Sequence, residues 1–268
     1  MHAPLTTRRR RLAPLLLAPL LLASVGCKLE ERVHHYFMKE EAPHAVEWGY
    51  TGDTGPSHWG ELSPEYALAS AGRAQSPIDL VGAEAADLPA IEFDYRPVAV
   101  NVVFNGHSIQ ENESGTSSVT VGGKRYSLEQ FHFHSPSEHT IDGRHSPMEM
   151  HLVHKAADGE VAVIGVMIEQ GAENAALEPL WDNLPTTENR ARRAEMMIDV
   201  AAALPASGDY LHYTGSFTTP PCTEDVRWMM MREPIELSRG QIAAFRAIIN
   251  NNNRPVQPLN DRAIEASN

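Results

Sequence analysis

Gln130-Phe131-His132-Phe133-His134 and Glu149-Met150-His151-Leu152-Val153-His154 are the two stretches on which the reading of this chain turns. In a β-strand, residues two apart point to the same face. His132 and His134 therefore project together, with Phe131 and Phe133 on the opposite side. Two imidazoles on one strand face can chelate a single cation. The second stretch offers a third ligand from a neighbouring strand, with His151, Val153 and Glu149 sharing a face. A His-x-His pair alone is more often a solvent-facing pair than a metal site. The flanking residues shift that balance. Metal-bound histidines usually donate their second ring N–H to a carboxylate, amide or carbonyl. Gln130 and Glu149 each precede a candidate ligand by two residues. Three neutral imidazoles leave one tetrahedral position for water, the pattern of a catalytic rather than a structural zinc. The chain's two cysteines, Cys27 and Cys222, cannot build a metal site, so any metal falls to its 13 histidines.

Outward from these stretches the chain reads as strands. Leu128 to His134 and Met148 to His154 read as strict alternation, and Val161 to Ile168 as the near-continuous apolar run of a strand buried on both faces. Val98 to Phe104 is β-branched and aromatic and ends at Asn105-Gly106, a turn signal. Ser118 to Val121 runs into Gly122-Gly123, and Leu211 to Tyr213 and Arg227 to Met231 are further strands. Helical patterns cover Ala175 to Asn183, Arg239 to Asn250 and Ala191 to Ala201, the last allowing a strand at its end. Trp48 to Gly60 mixes glycine with tryptophan and tyrosine and reads as an irregular lead-in. The sum is mainly β: a single sheet-dominated domain with a few surface helices and no internal repeat.

At the N-terminus, Arg8 to Arg11 precede an apolar run from Leu12 to Val25. That run is shorter than the roughly 20 residues a membrane span needs, so residues 1–26 are expected to be a signal peptide. Ser24-Val25-Gly26-Cys27 resembles a lipobox, with Ser24 where a larger aliphatic residue is usual. Lipidation of Cys27 is therefore expected, with ordinary signal-peptidase cleavage at the same bond as the alternative. Residues 27–45 read as a tether and 46–265 as the catalytic domain. The protein is expected in the periplasm or cell envelope, membrane-bound only through a lipid on Cys27. The net charge of −13 would repel phosphate backbones, which excludes nucleic acid as a partner.

The histidine stretches, with Ser137-Glu138-His139, resemble the α-class carbonic anhydrases of bacteria. Trp48-Gly49-Tyr50, Gln75-Ser76-Pro77-Ile78, Asn105-Gly106-His107, Tyr213 to Pro221 and Arg254 to Leu259 extend the resemblance over nearly the whole domain. It implies one large twisted, mostly antiparallel sheet with zinc at the base of a conical cleft. It further implies that His132, His134 and His151 hold Zn2+, with Gln130 and Glu149 orienting them. The reaction implied is reversible hydration of carbon dioxide to bicarbonate and a proton by zinc-activated hydroxide. Thr218 matches a gatekeeping threonine that donates to Glu138, and His107 matches a proton shuttle, a task suited to imidazole's pKa of about 6.5. Val153, Val163, Phe217 and Trp228 match the apolar wall that receives carbon dioxide, and Thr219 is expected to line the cleft. His139 and His154 match structural positions. The reading leaves room for a homodimer.

The chain departs from the pattern at Cys222. Bacterial members commonly bridge this cysteine to one just upstream of the Gln-Ser-Pro segment, where this chain has Ala69. The loss of so long a loop closure is worth about 3–5 kcal/mol. Two competing readings keep the same fold: a non-catalytic surface binding protein and a purely structural zinc site. Members without activity lack a zinc histidine, and a structural site wants a fourth protein ligand. Neither condition is met in the sequence.

Overall fold

The apolar runs become the middle of one large sheet in the computed structural model, which describes residues 46–113 and 115–267. The expected signal peptide, Cys27 and the tether lie outside the described residues. The first seven strands are β1 (Glu84–Ala86), β2 (Ile91–Asp94), β3 (Val98–Phe104), β4 (Ile109–Asn112), β5 (Ser118–Val121), β6 (Lys124–His134) and β7 (Thr140–Ile141). The rest are β8 (Arg144–His145), β9 (Met148–Ala156), β10 (Val161–Gln170), β11 (Arg190–Ile198), β12 (Tyr210–Ser216), β13 (Glu224–Met231), β14 (Ile235–Leu237) and β15 (Glu265–Ser267).

Thirteen strands form one sheet in the order β1-β15-β12-β13-β10-β9-β6-β4-β3-β11, with β14 beside β10 and β2-β5 beside β6; β7 and β8 pair separately. Three of its ladders are parallel, β1 with β15 and β10 with both β13 and β14. The others are antiparallel. Central β10 is buried on both faces, as its apolar run demands. Ile164, Val166 and Ile168 join the large core with Phe131 and Phe133. Val163 and Met167 face the other way, into a second cluster with Tyr213, Trp228 and Met230. Among the described residues, no helix is long and apolar enough to cross a membrane.

The site-bearing strand departs from the alternation read for it. Leu128 of β6 pairs with His154, but Gln130 pairs with Val153, so Glu129 forms a β-bulge. Tyr126 and Leu128 before the bulge and Phe131 and Phe133 after it all enter the same core. One extra residue has exchanged the parity of the strand and turned His132 and His134 away from that core.

The expected helix over Ala191 to Ala201 is corrected. Arg190–Ile198 is strand β11, the sheet's edge, paired antiparallel with β3 and bulged between Arg193 and Met197. Only Val200–Ala203 is helical. The stretch is rich in the helix formers Ala, Arg, Glu and Met, and a long-range ladder overrides that local preference. The two remaining helical patterns contract to Glu178–Trp181 and Arg239–Arg246. Ser238 and Gln241 form a capping box at the start of the latter, and Ile242 and Phe245 bury its inner face.

Candidate active site

Antiparallel pairing of β6 with β9 sets His132 directly opposite His151, and His134 opposite Glu149. One ring nitrogen from each of His132, His134 and His151 lies within 4.8 Å of the other two. Each ring is oriented by a bond on its other nitrogen. His132 Nδ1–H donates to Gln130 Oε1 at 2.8 Å, and His134 Nδ1–H donates to the Asn252 carbonyl at 2.6 Å. His151 Nε2–H donates to Glu149 Oε1 at 2.7 Å. These bonds free Nε2 of His132, Nε2 of His134 and Nδ1 of His151 for a shared ligand. His134 Nε2 is buried with no hydrogen-bond partner, an arrangement that is costly unless something binds there.

Electrostatics favour the form that a metal needs. Burial, then the neighbouring His134 and His151, holds the His132 imidazolium well below its ordinary range. Burial likewise lowers His151, and takes His134 down to about 4. All three rings are therefore neutral at physiological pH, as ligation requires. Glu149 is the opposite case. Burial opposes its charge, but His139 and His151 more than offset this and hold its carboxyl well below the usual range.

Behind the ligands runs a buried relay. The Tyr213 hydroxyl lies 2.6 Å from His139 Nε2, and His139 Nδ1–H donates to Glu149 Oε1 at 2.7 Å. Ser76 Oγ joins Tyr213 at 2.8 Å. His139 thus has both nitrogens occupied. Its closeness to Glu149 and His151 makes a second cluster of metal-ligand type, which this hydrogen bonding accounts for. His154 meets the Tyr95 hydroxyl at 2.7 Å and lies away from the three-histidine group.

Glu138 is fully buried, with Oε1 accepting from the Arg254 N–H at 2.8 Å and Oε2 left without a bonded partner. Burial raises its carboxyl to about 7, against the lowering effect of His151, Arg254 and the adjacent Thr218 side chain. Val163 and Trp228 are buried in the second cluster, and Val153 and Phe217 pack against it. Trp228 meets the His151 ring edge-on, with centroids 4.9 Å apart. A cavity of about 120 Å³ is lined by Trp48, Tyr50, His107, Gln110, Gln130, His132, His134 and Thr219, among others. His107, Gln130, His132, His134 and Thr219 thus line one cavity, while Val153, Val163, Phe217 and Trp228 gather in the second cluster, against the His151 ring.

Two contributors escaped the sequence reading. Asn252, in the asparagine run between the last helical pattern and Arg254, holds His134 through its carbonyl, accepts from the Ser135 N–H, and donates to the carbonyls of Phe133 and His107. Tyr213, read as the end of a strand and the start of a family segment, closes the relay behind His139. Both lie far from the ligands in sequence, and no periodicity points to them.

A three-histidine cradle beside a small cavity, each ring oriented by a bond on its other nitrogen, is a ligand arrangement of the kind metal-dependent enzymes use. A sequence profile of the eukaryotic-type carbonic anhydrases matches residues 54–268. The chain belongs to this family, the α-carbonic anhydrases, zinc enzymes that hydrate carbon dioxide. The carbonic anhydrase of Nostoc sp. is 44% identical over 225 residues, spanning 82% of this chain and 85% of that protein. The α-carbonic anhydrase of Thermovibrio ammonificans, solved with sulfanilamide, is 46% identical with a TM-score of 0.81, covering 83% of this chain and 100% of that one. That of Photobacterium profundum is 40% identical with a TM-score of 0.78, covering 82% and 100%.

Proposed function

We propose that this chain hydrates carbon dioxide reversibly through a zinc ion held by His132, His134 and His151, with His107 exporting the proton. The buried, unpartnered Nε2 of His134 beside two other free imidazole nitrogens carries this reading. When bound there, zinc supplies a Lewis acid that brings the pKa of a coordinated water near neutrality.

The protein's own residues account for the rest. Val153, Val163, Phe217 and Trp228 offer an uncharged wall, suited to a small apolar gas and not to an ion. Thr218 and Glu138 orient the attacking oxygen: Glu138 fixes the direction in which the threonine hydroxyl points. Each hydration event releases one proton, and His107 on the cavity rim accepts it and hands it to buffer. Glu149 and Gln130 keep the ligand rings in the tautomers described.

The test is stopped-flow carbon dioxide hydration by the purified domain, with a zinc chelator and with a sulfonamide, alongside metal analysis. Loss of activity with both agents is the expected result. A folded, stoichiometrically zinc-loaded protein without activity would overturn the proposal in favour of a binding protein on the same fold. We also infer export and lipid attachment at Cys27 from the arginine-led apolar run before it. Labelling with a fatty-acid probe that is lost in Cys27→Ser is expected; unlabelled protein released in soluble form would reject the anchor.

A further inference from the structure

The turn that presents His107 has an occupant that the reaction described above does not use. Gly106 takes a φ of +86°, a conformation open to glycine, and Asn105 Oδ1 clamps the turn by accepting from the N–H groups of His107 at 3.0 Å and Ser108 at 2.7 Å. A methyl group built on Gly106 would lie 2.6 Å from Glu188 Oε1. The Glu188 carboxylate therefore fills the space a side chain at position 106 would take, next to His107. It is held there from outside the turn: the Asn189 N–H donates to the Phe104 carbonyl at 2.7 Å, and Asn189 Nδ2 donates to Glu188 Oε1 at 3.3 Å.

From this we propose that Glu188 is a positioning residue for proton transfer, its carboxylate acting as the counter-charge that stabilises the cationic form of the His107 ring. The proposal rests on the reading of His107 as the proton acceptor.

Among the described residues, the surroundings of His107 contain no rival for this part. Its ring stacks on Trp48, with centroids 3.6 Å apart and planes 11° from parallel. Asn252 reaches only its carbonyl. The titratable groups facing it across the cavity are Tyr50, His132 and His134, and burial keeps each of these in its neutral form. Glu188 is the carboxylate of the set. Burial pushes the His107 ring toward neutrality, and Glu188 pushes it back. An acceptor that is too weak a base takes protons slowly, so a nearby negative charge sustains turnover near neutral pH.

The test combines an NMR titration of the His107 ring with turnover measurements on wild type, Glu188→Gln and Glu188→Asp. In Glu188→Gln the His107 midpoint is expected to fall by about half to one pH unit. At neutral pH its kcat should fall about two- to fivefold with kcat/KM for carbon dioxide unchanged, since only the proton-export step is touched. Glu188→Asp should retain most of both properties. An unmoved His107 midpoint in folded Glu188→Gln overturns the assignment of the counter-charge. A shifted midpoint with His107→Ala at full kcat instead overturns the role in proton transfer and, with it, the underlying reading of His107.

Discussion

His139 and His151 donate to the same oxygen, Glu149 Oε1, each at 2.7 Å. The other oxygen, Oε2, accepts the N–H groups of Glu138 and His139, each at 2.8 Å. A single buried carboxylate thus fixes one ligand ring, one supporting ring and the loop that carries Glu138. Glu149→Gln removes the buried negative charge that both ring N–H groups donate to, and its amide NH2 must stand against either those two ring donors or the two backbone donors. The expected result is a loss of about 10- to 100-fold in zinc affinity, read by competition with a chromophoric chelator.

His107 is expected to matter to proton export and not to the chemistry at carbon. Its replacement in His107→Ala should lower kcat by about 10- to 100-fold, toward the low end of what positioned proton transfer supplies. The kcat/KM for carbon dioxide should stay near wild type. Added imidazole buffer should restore turnover in proportion to its concentration, which stopped-flow assays across a buffer series would show.

Ala69 and Cys222 lie with Trp59 in one small buried cluster, although 153 positions separate them in the chain. The cysteine is free and fully buried, and burial pushes its thiol up to about 11, which leaves it unreactive. Because the two positions share one cluster, Ala69→Cys should form a disulfide with Cys222 when the chain folds under oxidising conditions, before burial shields the thiol. The gain is expected at about 2–4 kcal/mol, seen as a thiol count of zero and a higher Tm that reductant reverses.

Glu111 is fully buried on β4, with Oε1 accepting from the Asn101 N–H and Oε2 unpartnered. Burial raises its carboxyl from 4.5 to about 8. The folded state therefore holds this proton more tightly than the unfolded chain does. The stability it contributes is complete below about pH 4.5 and is lost as pH rises toward 8. Glu111→Gln keeps the acceptor for Asn101 and removes the charge. Its stability should match wild type in acid and exceed it at pH 8–9 by on the order of 2 kcal/mol, seen as a higher Tm there.

The central part of this fold was legible because its signals are local. Val161 to Ile168 could be recognised as doubly buried from its own residues, and the two histidines of β6 from a spacing of two. Arg190–Ile198 could not, because its strand state is imposed by β3, which no window over its own helix-forming residues contains. Asn252 was hidden for a related reason. It acts on His134 through a backbone carbonyl, which every residue type carries, at a separation that only the folded chain closes.

The bulge at Glu129 also sets which face of β6 each motif residue reaches. The two halves of β6 are out of step by one residue, so core-facing and cleft-facing positions exchange parity where Glu129 is inserted. Were the same residues paired without the bulge, unbroken alternation from Leu128 would send His132 and His134 into the hydrophobic layer and turn Phe131 and Phe133 out into the cleft. The side on which the two histidines emerge is therefore decided by the pairing register of the strand as well as by their spacing in the sequence.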